Sequence, residues 1–189
     1  MIPRRATLCV ALSALLALAA CGDSGSDEPG GVEGDLEAAE SFDDYTLYYL
    51  GESFQELPVS FAGLGPGRGT GLRRSWSFIY GECTPPAGGD GGCAPPLEVQ
   101  NWSICTRFPA LYPGSTPKTS PLEGAETLPA GGGLDVYTGE TTVVVFGKRK
   151  DEAVQALTPV DGGSGAGRLP APVAGALDGE LECQAERLR

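Results

Sequence analysis

The sequence predicts an α+β domain: a small, mostly antiparallel sheet with one or two short helices, long Gly/Pro-rich loops and two disulfides. Three observations lead there. Short runs rich in aromatic and β-branched residues recur from Tyr45 onward, several of them alternating with period two. Clusters of Gly and Pro, of which the chain has 29 and 16, punctuate these runs as turns and loops. After residue 45 the stretch that follows Asp151 has helical spacing, and the C-terminal segment is open between coil and short helix.

In chain order, "YTLYYL" (Tyr45–Leu50) has strand propensity. "GESFQELPVSFAGL" holds a short turn and then a strand near Pro58–Ala62, and "GLGPGRGTG" is a loop. "RRSWSFIYGEC" places Trp76, Phe78 and Tyr80 on one face of a strand. "LEVQNWSIC" is a second strand, with Asn101 out of pattern and a bulge expected near Gln100–Asn101. These two form a hairpin. "PALYPGSTPKTSPLEGAETLPAGGG" has no period and reads as loop. "LDVYTGETTVVVFG" reads as a hairpin turning near Thr138–Glu140, with Val143–Phe146 buried. "KRKDEAVQALTPV" gives a helix that starts at Asp151 and Glu152, turns Ala153, Val154 and Leu157 to one side, and ends at Pro159. The rest is a flexible loop, "DGGSGAG", and a C-terminal segment of coil or short helix.

The chain begins differently. Met1-Ile2-Pro3-Arg4-Arg5 is positive, and Ala6 to Ala20 carries no charge. An apolar run this short falls below the roughly 20 residues of a spanning helix. A basic start, a short apolar run without a polar stripe, and small residues at its end describe a secretory signal. It ends in Leu18-Ala19-Ala20-Cys21. That tetrad resembles the lipobox of bacterial lipoproteins. The resemblance implies a diacylglycerol on the Cys21 thiol, cleavage before Cys21 and acylation of the new amino terminus. Multiple acyl chains would anchor the chain stably in a lipid bilayer, at about 0.8 kcal/mol per buried CH₂. The implied location is the extracytoplasmic face of a bacterial membrane. The stretch "YGECTPPAGGDGGCAPPLEVQNWSIC" is also similar to segments of uncharacterised bacterial lipoproteins, a resemblance that brings no activity with it.

Three regions follow: a signal peptide over 1–20, a lipidated Cys21 with an acidic tether over 21–44, and one extracytoplasmic domain over 45–189. Nine of the chain's 25 carboxylates fall between Gly22 and Asp44, with no Lys or Arg. Such a segment repels itself and buries little, so it reads as a stalk. Within it "DLEAAESFDD" allows a turn or two of helix. The formal net charge of −12 is therefore largely a property of the tether, and it argues against nucleic acid as a partner.

Cys9 leaves with the signal, which leaves Cys83, Cys93, Cys105 and Cys183 in the body. Four cysteines in an exported domain read as two disulfides, with three possible connectivities. The favoured pairing is Cys83–Cys93, around "TPPAGGDGG", with Cys105–Cys183 pinning the C-terminal segment. A metal site is disfavoured because the chain has no His and no C-x-x-C pair, and no cofactor is implied.

The absence of His also excludes Ser-His-Asp and Cys-His catalysis. Ser115-Thr116-Pro117-Lys118 matches S-x-x-K, but the surrounding prolines forbid the helix that chemistry needs and its partner motifs are missing. No phosphate-loop pattern fits the glycine loop, although Arg68, Arg73 and Arg74 beside free amides form a possible anion or partner patch. Lys148, Arg149 and Lys150 form a second basic patch that could face an envelope partner or stand as a solvated corner. Trp76 and Trp102 are candidates for a glycan-binding face, with strand alternation favouring the core. Glu82, Glu98 and Asp90 are the acids nearest the cysteine loop. The sequence thus leads to a lipid-anchored, non-catalytic binding or envelope-associated module of unassigned ligand. The alternative is a cell-envelope hydrolase using acidic residues.

Overall fold

The computed structural model describes residues 32–65, 75–82, 94–107, 118–119, 122–162 and 168–177. Their elements in chain order are α1 (Val32–Glu40), β1 (Tyr48–Tyr49), β2 (Ser53–Phe54), β3 (Leu57–Leu64), β4 (Trp76–Tyr80), β5 (Leu97–Ser103), β6 (Lys118–Thr119), β7 (Glu126–Ala130), β8 (Gly133–Thr138), β9 (Thr141–Gly147), α2 (Lys150–Gln155) and β10 (Thr158–Pro159). Eight strands form one sheet in the order β2-β3-β4-β5-β9-β8-β7-β6, and β1 pairs with β10 in a separate ribbon. Every pair of these strands is antiparallel. The mostly antiparallel α+β class read from the sequence is the class observed.

Hairpin chemistry sets the order of the strands. Thr138 and Thr141 pair across a two-residue turn whose first residue, Gly139, has φ +50°, the left-handed conformation that lets a tight turn follow the strand twist. The β4–β5 pair runs from Trp76 opposite Asn101 to Tyr80 opposite Leu97, so the two predicted strands are neighbours. The turn between β2 and β3 is less comfortable. Gln55 and Glu56 have φ of 46° and 69°, where Asn-Gly or Gly-Gly is usual.

Several expectations are corrected. No bulge interrupts β5, which pairs continuously with β9 from Leu97 to Ser103; the irregularity lies in β3, between Val59 and Phe61. Asn101 sits in phase with Leu97 and Val99 on the core-facing side and is fully buried. Part of the segment read as loop is sheet. Lys118–Thr119 pairs with β7, and β7 pairs with β8 along its length. Pro129 fits because β6 runs beside only Glu126 and Thr127, leaving β7 an edge farther on. The second helix stops at Gln155 rather than at Pro159. Thr158 and Pro159 pair instead with Tyr49 and Tyr48, and the Val160 amide donates to the Leu47 carbonyl at 2.9 Å. The tether reading covered residues 21–44, yet α1 lies within it. Ala39 is only 3% exposed, and Leu36 and Phe42 pack against the main core.

Each face of the sheet carries its own core. On one face Trp76, Phe78, Tyr80, Leu97, Val99, Val143 and Val145 meet α1, the segment from Leu47 to Phe54, and Ala153, Val154 and Leu157 of the α2 region. On the other face Leu128 and Tyr137 pack against Ile104 and Ala176, with Cys105, Val173 and Leu177 alongside. Thr141 to Val145 are all buried, because β9 is covered on both faces. Each fully buried large apolar side chain contributes about 1.5–3 kcal/mol to this packing.

Candidate functional site

A cleft of about 470 Å³ opens where the end of α1, the chain from Phe42 to Leu47, the β8–β9 turn and Val160–Asp161 meet. α1 ends there because Ser41 caps it: the Ser41 hydroxyl and amide both donate to the Glu37 carbonyl, at 3.1 and 3.2 Å. Phe42 then turns inward, edge-on to Tyr45 with ring centroids 4.9 Å apart and tilted against Trp76 at 5.4 Å. Glu40, Asp43, Asp44, Glu140 and Asp161 line the cleft, and among the described residues no Lys or Arg does. Among the described residues no three His, Cys, Asp or Glu side chains are grouped to hold a metal, so these carboxylates are spread around the rim. The Tyr45 hydroxyl at the inner wall donates to the Asn101 carbonyl at 3.0 Å. Burial pushes the Tyr45 pKa far above the usual phenol value, with the nearby Asp44 charge acting in the same direction, so it stays a neutral phenol.

Behind this wall Asn101 makes the main polar attachment of the core. Its Oδ1 accepts from the Tyr48 amide at 2.8 Å and its Nδ2 donates to the Tyr48 carbonyl at 2.9 Å. The side-chain amide therefore pairs with β1 as a strand backbone would. Tyr80 does similar work nearby: its hydroxyl accepts from the Leu50 amide at 2.8 Å and donates to the Gly51 carbonyl at 3.2 Å. Desolvation holds the Tyr80 hydroxyl in its neutral form.

The opposite face holds a buried ion pair. Asp135 is fully buried on β8, and the Arg107 guanidinium reaches it with Nε to Oδ2 and Nη2 to Oδ1, both at 2.9 Å. The Tyr137 hydroxyl donates to the same Oδ2 at 3.3 Å. Burial raises the Asp135 pKa above the ordinary carboxylate value, against the pull of Arg107. A raised carboxyl pKa is a mark of catalytic acids. Asp135 has no exposed surface, and its pair with Arg107 holds the turn after β5 onto the sheet. Arg107 also lies 6.0 Å from the Trp102 ring centroid. From there Trp102 Nε1 donates to Gln100 Oε1 at 3.2 Å and Gln100 Nε2 donates to Glu98 Oε1 at 2.8 Å, a row of polar contacts along β5.

The residues singled out from sequence are dispersed. Cys21, Cys83, Cys93, Cys183, Arg68, Arg73, Arg74, Asp90 and Ser115 lie outside the described residues. Cys105 is disulfide-bonded. Lys148 and Arg149 are exposed at the start of α2, and Lys150 Nζ donates to the Gly132 carbonyl at 3.0 Å. This basic corner follows Gly147, at the end of β9 away from the cleft. Trp76 is buried in the main core while Trp102 is half-buried, on adjacent positions of the β4–β5 ladder that point to opposite faces. They form no common glycan platform. Glu82 is exposed and Glu98 is engaged with Gln100.

Sequence reasoning missed Asn101 as a core ligand, the Arg107–Asp135 pair, and the Glu140–Asp161 side of the cleft. Asp135 left a trace: it alternates with Tyr137 in "LDVYTG", on the side where a strand covered on both faces needs a partner for a charge. No family model matches the chain, and no curated protein or solved structure is significantly similar to it.

Proposed function

We propose that this chain is a bacterial lipoprotein. Its leader, residues 1–20, is removed, Cys21 is acylated, and the body is held in the lipid bilayer at the extracytoplasmic face as a non-catalytic binding or envelope-associated module. One observation carries the reading: a basic start, an uncharged apolar run too short to span a bilayer, and Leu18-Ala19-Ala20-Cys21 directly before an acidic segment. It is consistent that, among the described residues, no helix is long and apolar enough to cross a membrane. The cleft falls within the roughly 300–1,000 Å³ of ligand pockets, which supports a binding role for the body.

The disulfide framework belongs to the same proposal. Cys105 and Leu177 pack against one small cluster, and Cys183 follows Leu177 by six residues, which supports Cys105–Cys183. Cys83 and Cys93 flank the connection between β4 and β5, which supports their pairing.

Intact-mass analysis of the native protein tests the anchor. The expected result is a chain starting at Cys21 with added acyl mass, and loss of that mass with release from the membrane fraction in Cys21→Ser. An unmodified first residue, a retained leader, or a Cys21→Ser protein that still carries acyl chains overturns the proposal.

A further inference from the structure

We propose that α1 is a folded spacer. By taking residues 32–44 out of the tether it holds the cleft close to the bilayer, within reach only of ligands presented near the membrane surface. The distance to the bilayer rests on the lipoprotein reading; the docking of α1 does not.

The second half of the acidic segment is built into the body. α1 lies along β3. Leu36 and Ala39 turn toward the main core while Glu37, Ala38 and Glu40 are exposed, which is the pattern of a docked helix rather than of a solvated chain. A helix of nine residues is too short to stand alone and is held by such tertiary contacts. The residues after it are tied down in turn. Ser41 donates twice to the Glu37 carbonyl, and the Phe42 amide donates to the Ala39 carbonyl at 3.3 Å. The Phe42 ring meets both Tyr45 and Trp76. The Tyr45 hydroxyl donates to the Asn101 carbonyl, the Thr141 hydroxyl donates to the Thr46 carbonyl at 2.7 Å, and the Asn101 side chain takes both backbone groups of Tyr48.

What remains as tether is Gly22 to Gly31, ten residues with four Gly, one Pro and three carboxylates. Covalent geometry bounds its reach whatever its conformation. The steps from Cys21 to Val32 span at most about 40 Å. α1 adds about 14 Å before Glu40 at the edge of the cleft. The cleft edge therefore lies no more than about 55 Å from the acylated residue. A tether free as far as Asp44 would let Tyr45 stand about 85 Å away.

Digestion of the acylated full chain in phosphatidylglycerol vesicles, with a protease that cuts before Asp, tests the docking. Cuts before Asp23 and Asp27 are expected to release the body into solution. Cuts before Asp43 and Asp44 are expected to be at least about 30-fold slower, although both side chains are exposed, because the backbone around them is held. Bodies that begin at Asp43 or Asp44 as early as at Asp27 would overturn the proposal. Neutron reflectometry of the same protein on a supported bilayer tests the distance. The gap between bilayer and body is expected at about 18 Å, widening to about 26 Å when a twelve-residue Gly-Ser insert is placed between Gly31 and Val32. A gap already near 26 Å in the parent chain means that residues 32–44 belong to the tether, and it too overturns the proposal. A chain that carries no acyl group and never joins the vesicles removes the distance by way of the lipoprotein reading. That failure is told apart because digestion in solution then still spares Asp43 and Asp44.

Discussion

Replacing Arg107 with Met removes the partly exposed half of an ion pair and leaves the fully buried half, Asp135, in place. Asp135 has no exposed side-chain surface, and Arg107 supplies two charge-assisted hydrogen bonds to it at 2.9 Å. Each such bond contributes about 1.5–3 kcal/mol, and orphaning a buried charge costs about 3–5 kcal/mol in total. Against the roughly 5–15 kcal/mol that holds a domain of this size together, that is a large loss. Its pH dependence has a definite sign. The Asp135 pKa is already raised in the fold by burial, so its contribution is fully present below the unfolded value of about 3.9 and is lost as pH rises through the folded value. Without Arg107 the folded value climbs further. The variant then binds a proton at Asp135 more readily than the parent, and its deficit shrinks as pH falls. Guanidinium unfolding of the oxidised protein, followed by near-UV circular dichroism at pH 7.5 and pH 4.5, measures both effects. The expected deficit is about 3–5 kcal/mol at pH 7.5 and clearly smaller at pH 4.5. The double variant Arg107→Met/Asp135→Leu should return to within about 1–2 kcal/mol of the parent, since apolar replacement of a buried pair is near neutral. A single-variant loss below 1 kcal/mol at pH 7.5, or one of equal size at both pH values, refutes the reasoning.

Two other substitutions probe the fold at single points. Asn101→Leu keeps the side-chain volume near that of the parent but strands the Tyr48 amide and carbonyl, at about 1–3 kcal/mol per group. Chemical denaturation should show a loss of about 2–5 kcal/mol, and exchange of the Tyr48 amide should accelerate ahead of β9. An unchanged midpoint would mean that the β1–β10 ribbon does not depend on that amide. Glu56→Gly relieves a positive φ of 69° in the β2–β3 turn and should raise stability by about 0.5–1 kcal/mol, read as a higher melting temperature. A lower melting temperature would show that the turn is held by something other than its own backbone preference.

The fold class was legible because it rests on local signals. "RRSWSFIYGEC" and "TTVVVFG" show strand periodicity or continuous β-branched runs, and "YTGETT" places Gly where a two-residue turn needs it. "AETLPAGGG" was not legible, because Pro and Gly there mark the outer part of a strand that β6 covers only at its start, and its turn, rather than a loop. Only the presence of β8 beside it distinguishes the two cases. The tether boundary was hidden for a similar reason. "DLEAAE" looks like a solvated acidic stretch until Phe42 and Ala39 find Trp76 and the main core. The cleft was invisible in the sequence, since Glu40, Glu140 and Asp161 come together only when β1 pairs with β10 beside the β8–β9 turn.

Asn101 and Asp135 explain why two sequence-distant segments stay on this sheet. A strand covered on both faces gains most from apolar side chains, so each polar residue at a buried position is a liability unless it is matched. Here each match reaches across the chain rather than along it. Asn101 takes both backbone groups of Tyr48, 53 positions away, and so fixes the segment that carries the aromatic wall of the cleft. Asp135 takes Arg107, 28 positions away, and so fixes the turn that bears the disulfide-bonded Cys105. An apolar residue at either position would pack, but it would accept several placements of the covering segment. A satisfied amide and a bidentate ion pair accept one. The polar residues thus select the position of the cleft wall and of the cystine, while the apolar residues supply most of the stability. Loss of either match should therefore be seen first as broadened or shifted resonances of residues 45–50 or 104–107, before any change in the strands of the sheet.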